Sequence, residues 1–139
     1  MTAAKLTAEQ QERVDQALDK VPYAKLLGIE LEEVTSGVAT LSLNVRPDLM
    51  QNNGVVHGGA LASLIDSATA FAIISLLEPS EKVTTVDLTL SFLRPVTEGR
   101  LRAVAKVIRA GRRLISVSAE VFNQDGKLVT TALSTYIKL

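Results

Sequence analysis

The sequence predicts an α+β domain in which a curved antiparallel sheet wraps around one long central helix. Three observations carry this. The run from Gly58 to Leu77 is apolar or small on nearly every face when its residues are placed about 100° apart, so as a helix it must be covered all round. From Thr84 to Arg94, Val86, Leu88, Leu90 and Phe92 alternate strictly with Thr85, Asp87, Thr89 and Ser91, the pattern of a half-buried antiparallel strand. The 139 residues, 47% hydrophobic and 22% charged, have the balance of one folded domain able to bury a core without staples. We therefore read residues 1–139 as a single domain, with 1–27 as an N-terminal helix and connector.

The elements follow in order. Thr7 to Lys20 spaces Val14 and Leu18 as an amphipathic surface helix, and Thr7 with Gln10 has the spacing of a capping box. Ile29–Val34 and Val38–Val45 read as strands around a turn at Ser36-Gly37. After the long helix comes the strand over Thr84–Arg94, ended by Pro95. Leu101–Arg109, Leu114–Phe122 and Leu128–Lys138 follow, joined at Ala110-Gly111 and Gln124-Asp125-Gly126. The predicted order is a helix, two strands, the long helix and four strands in a meander, giving a sheet of five or six strands.

On the long helix, Leu61, Leu64, Ala68 and Phe71 share the face the sheet covers. Asp66 lies opposite, among Gly59, Ala62, Ser63, Thr69, Ala70 and Ile73. A side of small residues around a carboxylate calls for a second copy or a ligand, so a homodimer is expected, and beyond it a homotetramer.

Composition excludes several classes of function. Fifteen basic against fifteen acidic residues leave no net charge to drive nucleic-acid binding, and none is expected. The absence of cysteine removes thiolate nucleophiles, disulfides and thiolate zinc sites, and a single histidine removes a multi-imidazole zinc site, so no metal is expected. The Gly58–Leu77 run is long enough to span a bilayer but carries Asp66 at its centre, at a cost of roughly 2.5–3.5 kcal/mol. It is read as a helix buried in protein. Met1 to Lys20 lack the apolar stretch of a secretory signal, and the expected compartment is the cytoplasm.

The informative stretch is Gln51-Asn52-Asn53-Gly54-Val55-Val56-His57-Gly58-Gly59, followed by Asp66. A glycine pair opening a helix presents unpaired N–H groups at the positive end of the helix dipole and lets a ligand carbonyl come close, an oxyanion hole in outline. Gln51 can supply an amide to the same oxygen. Burial raises a carboxyl above its reference of about 3.9 unless hydrogen bonds hold it. Asp66 lies eight residues beyond Gly58, ~12 Å along the axis, whereas attacking group and oxyanion donor must both sit ~3 Å from one atom. Two antiparallel copies of the helix satisfy both, so the site is expected to be shared between protomers.

This pattern resembles the hotdog-fold acyl-CoA thioesterases of the phenylacetate-degradation and 4-hydroxybenzoyl-CoA type, whose elements appear here as Gln51, Gly54, His57, Gly58, Gly59 and Asp66, within a similarity running from about Gly28 to the end. The resemblance implies hydrolysis of an aryl or medium-chain acyl-CoA to free acid and coenzyme A, with no cofactor beyond the coenzyme A of the substrate. Asp66 would act as nucleophile or general base, with Gly58 N–H, Gln51 and His57 of the other protomer polarising the carbonyl. Family members often place a Ser or Thr near the acid. Four residues on, this chain has Ala70, a departure, while Thr85 before Val86-Asp87 matches a second form of the pattern. Asn53, Gly54, Gly59 and Ser63 complete the positions expected to touch substrate. Arg109, Arg112 and Arg113, with Arg94, are expected to meet the coenzyme A phosphates, the alternative being a solvated hairpin. Two rival functions share the fold: an acyl-CoA sensor that does not cleave its ligand, and an acyl-thioester hydratase or dehydratase.

Overall fold

Helix α1 (Ala8–Asp19) begins at the expected capping box: the Thr7 hydroxyl accepts from Gln10 N–H at 3.2 Å and the Gln10 amide oxygen accepts from Thr7 N–H at 2.8 Å. Val14 is fully buried and fastens this helix to the edge of the sheet. The computed structural model describes residues 4–139, and the first three residues of the segment 1–27 lie outside the described residues. A short helix, α2 (Pro22–Leu27), ends on Gly28 at φ 78°, and the Arg46 guanidinium donates to the carbonyls of Leu26 and Leu27.

Six strands follow: β1 (Glu30–Thr35), β2 (Val38–Asn44), β3 (Val83–Phe92), β4 (Arg100–Ala110), β5 (Leu114–Phe122) and β6 (Leu128–Lys138). They form one antiparallel sheet in the order β1-β2-β4-β5-β6-β3. The long helix α3 (Gly58–Ile74) crosses the sheet chiefly over β2, β4 and β5. Its expected core face, Leu61, Leu64, Ala68 and Phe71, is buried. The opposing positions at the centre of the sheet are the buried alanines Ala103, Ala105 and Ala119, whose small side chains let the helix seat deeply.

The structure corrects three expectations. The last four strands are not a meander: β4, β5 and β6 are, but β3 pairs with β6 at the far edge, and residues 93–99 carry the chain back across the end of the sheet to β4. Alternation reports which side chains face the core, not which strand lies alongside. The alternation of β3 is itself broken by a bulge between Thr85 and Asp87, which face the consecutive residues Tyr136 and Thr135. The extra residue, Val86, swings out to 54% exposure, and Thr85 joins Leu88 and Leu90 on the helix side. Phe92, equally exposed, lies over the start of α3, its ring 3.1 Å from where a Cβ at Gly58 would stand. Finally, Thr69 and Ile73 are fully buried within the chain, so the accessible stripe of α3 narrows to Gly58, Gly59, Ala62, Ser63, Asp66, Ser67 and Ala70, with Ile74 at its end.

Leu64 has no exposed surface, so Leu64→Ala is expected to cost about 2–5 kcal/mol, read as a lower urea midpoint at unchanged slope.

Candidate active site

The loop before α3 is built to hold its tip out and its root still. Met50 bridges Val56, Gln51 N–H donates to Val55 C=O at 2.8 Å, and Gly54 turns the chain at φ 76°. His57 N–H donates to Leu49 C=O and Val56 N–H to Val96 C=O, both at 2.8 Å. Gln51 therefore sits at the root, beside the start of α3, with its side chain in no hydrogen bond to the described residues. Asn53 and Gly54 stand exposed at the tip. A Cβ at Gly54 would meet nothing within 4 Å, so glycine is required there by the positive φ and not by crowding.

At the helix start the structure separates two amides that the sequence treats alike. His57 is the N-cap, and its Nδ1 accepts from Gly59 N–H at 2.7 Å. As an acceptor at Nδ1, the neutral ring carries its proton on Nε2. Gly59 N–H is thus occupied, while Gly58 N–H has no acceptor among the described residues. A Cβ at Gly59 would lie 2.9 Å from His57 Nδ1, so the second glycine is what allows the ring to fold over the cap.

Asp66 is half-buried, two turns further along. Its Oδ1 accepts from Thr85 Oγ1 at 3.0 Å and from the Tyr136 hydroxyl at 3.2 Å. The Tyr136 hydroxyl also stands 3.0 Å from the Asp66 carbonyl oxygen and 2.8 Å from Thr69 Oγ1, itself 3.0 Å from that carbonyl. Oδ2 is left without a hydrogen bond to the described residues. The bulge at Val86 is what delivers Thr85, since an unbroken strand would turn its hydroxyl away from α3. Tyr136 and the role of Thr69 escape sequence reasoning. Their signal is the core face of β6, where Ser134 and Tyr136 follow Ala132: polar groups on a buried face need partners.

Burial pushes the Tyr136 hydroxyl up to about 12, and the Asp66 charge adds to the effect. The phenol thus remains a hydrogen-bond donor throughout the ordinary pH range.

The remaining candidates divide. Ser63 Oγ donates to Gly59 C=O at 2.8 Å and pairs with the Tyr23 hydroxyl at 2.9 Å, an engaged group one turn before Asp66. The four arginines are not one cluster within the chain. Arg94 follows Phe92 at the end of β3 beside the start of α3, with its Nε 3.4 Å from Leu128 C=O. Arg109, Arg112 and Arg113 lie at the other end, where Arg113 C=O accepts from Lys138 N–H and Lys138 faces Val83. The length of β3, ~30 Å at ~3.3 Å per residue, lies between them.

A sheet curled around one helix, with a capped glycine pair at the helix start and a hydroxyl-held carboxylate on its accessible stripe, defines a hotdog-fold protein of the thioesterase kind. A family model described as the thioesterase superfamily matches residues 53–130. The chain is 28% identical to the medium/long-chain acyl-CoA thioesterase YigI of Salmonella typhimurium over 97% of its length and 98% of that protein's. It superposes on the PaaI protein from the phenylacetic acid degradation operon of Escherichia coli with a TM-score of 0.89, at 26% identity over 97% of this chain and 96% of that one. A conserved protein of Pseudomonas aeruginosa, 35% identical, covers 86% of this chain and 94% of its own with a TM-score of 0.82. The chain belongs to the thioesterase superfamily. It is a thioester hydrolase.

The raised Tyr136 value has a consequence for stability. Above about pH 10 the unfolded phenol ionises while the folded one stays protonated to about 12, so the unfolded state binds fewer protons and stability falls across that window. The expected loss is of order 2–3 kcal/mol, and in denaturant titrations at rising pH it should vanish from Tyr136→Phe.

Proposed function

We propose that the chain hydrolyses acyl-CoA thioesters in the cytoplasm, in a site completed by a second copy of itself, and that medium-chain or aryl acyl groups are its substrates. The observation that carries this is Asp66, oriented through Oδ1 with Oδ2 open on the accessible stripe of an otherwise buried helix. The relatives are consistent in kind: YigI is named a medium/long-chain acyl-CoA thioesterase. No cofactor is needed beyond the coenzyme A of the substrate.

Gly58 N–H and Asp66 are ~12 Å apart along one helix, too far to serve one carbon. Head-to-tail pairing of two α3 helices brings the Asp66 of one copy to the Gly58 of the other, and the glycines, alanines and serines of the stripe permit the approach. The outer edge of β3, ten residues long and paired on one side only, supports self-association as well, since a bare edge of that length invites another strand. The same pairing puts Arg94 of one copy at the end where Arg109, Arg112 and Arg113 of the other lie, reuniting the guanidinium groups around the coenzyme A phosphates. A homodimer is the smallest active unit, and a homotetramer is two of these.

In the reaction, Gly58 N–H, the Gln51 amide and His57 Nε2–H of one copy polarise the thioester carbonyl and hold the oxyanion. Asp66 Oδ2 of the other drives the attack. As a base it takes a proton from water, whose oxygen bonds to the carbonyl carbon; the intermediate collapses, the C–S bond breaks, and the proton passes to the departing sulfur. As a nucleophile it forms an acyl–aspartyl anhydride with release of coenzyme A thiolate, and water then opens the anhydride. A single turnover in ¹⁸O-water with hydroxylamine trapping separates the routes. Label in Asp66, or a trapped acyl–aspartyl anhydride, marks the nucleophile; label confined to the product acid with no anhydride trapped marks the base route.

Asp66→Asn is expected to lower kcat at least about 10³-fold while leaving acyl-CoA affinity within a few-fold. Wild-type protein that binds acyl-CoA yet releases no thiol from short, medium, long or aryl esters would instead identify a sensor. The shared site predicts complementation: Asp66→Asn and His57→Ala chains, each impaired alone, should regain activity when unfolded and refolded together, because a mixed dimer contains one intact site. A site contained within each chain would show no recovery.

A further inference from the structure

We propose that Tyr136, oriented by Thr69, is the positioning residue of this site: its hydroxyl fixes the side-chain rotamer of Asp66 so that Oδ2 alone is presented to the thioester. The inference rests on the thioesterase reading and assigns a role that reading does not require.

The phenol oxygen meets three atoms: Thr69 Oγ1 at 2.8 Å, the Asp66 carbonyl oxygen at 3.0 Å and Asp66 Oδ1 at 3.2 Å. Tyr136 and Thr69 bring one hydroxyl proton each, so not every contact can be a hydrogen bond at once. Magnitudes decide the direction. A bond to a charged acceptor contributes about 1.5–3 kcal/mol and a neutral one about 0.5–1.5. The favoured arrangement therefore sends the Tyr136 proton to Asp66, with the Thr69 hydroxyl supporting the phenol oxygen from behind. Because burial keeps the phenol protonated, this donor does not switch off in the working pH range.

The geometry differs in kind from an ordinary hydrogen bond to a carboxylate. One hydroxyl touches both the main-chain carbonyl and the side-chain oxygen of the same residue, and so restrains the torsion between them. Thr85 adds a second donor to Oδ1 from the neighbouring strand. With Oδ1 doubly held, rotation that would exchange the two oxygens must break both bonds. Tyr136 itself is 3% exposed beneath Asp66 and is out of reach of substrate, so its effect passes through the carboxylate.

The test uses Tyr136→Phe, Thr69→Val and Thr69→Ser in the full-length chain, with acyl-CoA turnover as the readout and circular dichroism melting as the control for folding. Tyr136→Phe and Thr69→Val are expected to lower kcat by about tenfold or more with KM within about threefold, as for a misplaced reacting group. Thr69→Ser, which keeps the hydroxyl, should return kcat to within about twofold of wild type. Should Tyr136→Phe fail to fold, the Thr69 pair carries the test alone. The proposal is overturned if either hydroxyl-removing variant, folded, keeps kcat within about twofold, if Thr69→Ser falls as far as Thr69→Val, or if KM rises in step with the loss. Full turnover in Asp66→Asn would sink the role given to Asp66, and with it this proposal, whereas a wild-type chain that releases no thiol from any acyl-CoA would sink the thioesterase reading itself, whatever Tyr136 does.

Discussion

Helix α3 is buried on every side but one, and the site exists because of that. Its core face is packed against a sheet whose alanines admit it closely, and Thr69 and Ile73 are enclosed as well. What remains is a strip of small residues with one carboxylate in it. A charged group left on an otherwise dry helix needs either water or partners. Here Oδ1 receives hydroxyl partners from two strands, and Oδ2 is left for whatever fills the strip. The helix start is finished in the same spirit: one amide is satisfied by the His57 ring, and its neighbour is held in reserve.

These two features sit on one rigid rod and cannot be brought together by bending it. A helix of this length keeps its ends apart, so any chemistry needing both an amide donor and the carboxylate has to recruit a second rod. In the proposed dimer, self-association is not an addition to a working monomer. It is the step that would assemble a site from two incomplete halves, and it gives a reason for a strip lined with residues small enough for close approach.

Much of this was legible in the sequence. The strand boundaries of β4, β5 and β6 fall within a residue of the hydrophobic alternation, because alternation records which side chains meet the core. The helix start and Asp66 were legible because glycine pairs and lone acids on apolar helices have few structural uses. What escaped was whatever depends on neighbours far away in the chain. Strand order could not be read, since the paired residues of β3 and β6 lie 38 to 55 positions apart and nothing local marks them as partners. The bulge at Val86 could not be read either, because a single inserted residue leaves the printed alternation intact while reversing every side chain before it. Thr85 was therefore on the wrong face by pattern and on the right one only by resemblance. Tyr136 and Thr69 were hidden by their own burial, which in a sequence looks like core.

The choice of partners around Asp66 has a chemical logic. Among the described residues no ion pair includes it, and the groups that touch it are hydroxyls from Thr85 and Tyr136. A lysine or arginine in their place would hold the carboxylate as firmly, but it would also neutralise the negative charge that must attack a carbon or draw a proton. Hydroxyl donors orient without cancelling. The cost is a polar cluster in the core, each member of which forfeits water for about one hydrogen bond. That cost is contained because each hydroxyl has a partner: Thr69 supports the Tyr136 oxygen, and Tyr136 and Thr85 both donate to Asp66 Oδ1. The one carboxylate oxygen outside the circuit is the one to which the proposed reaction assigns the attack, so on that reading the economy of the core and the direction of attack are set by the same few bonds.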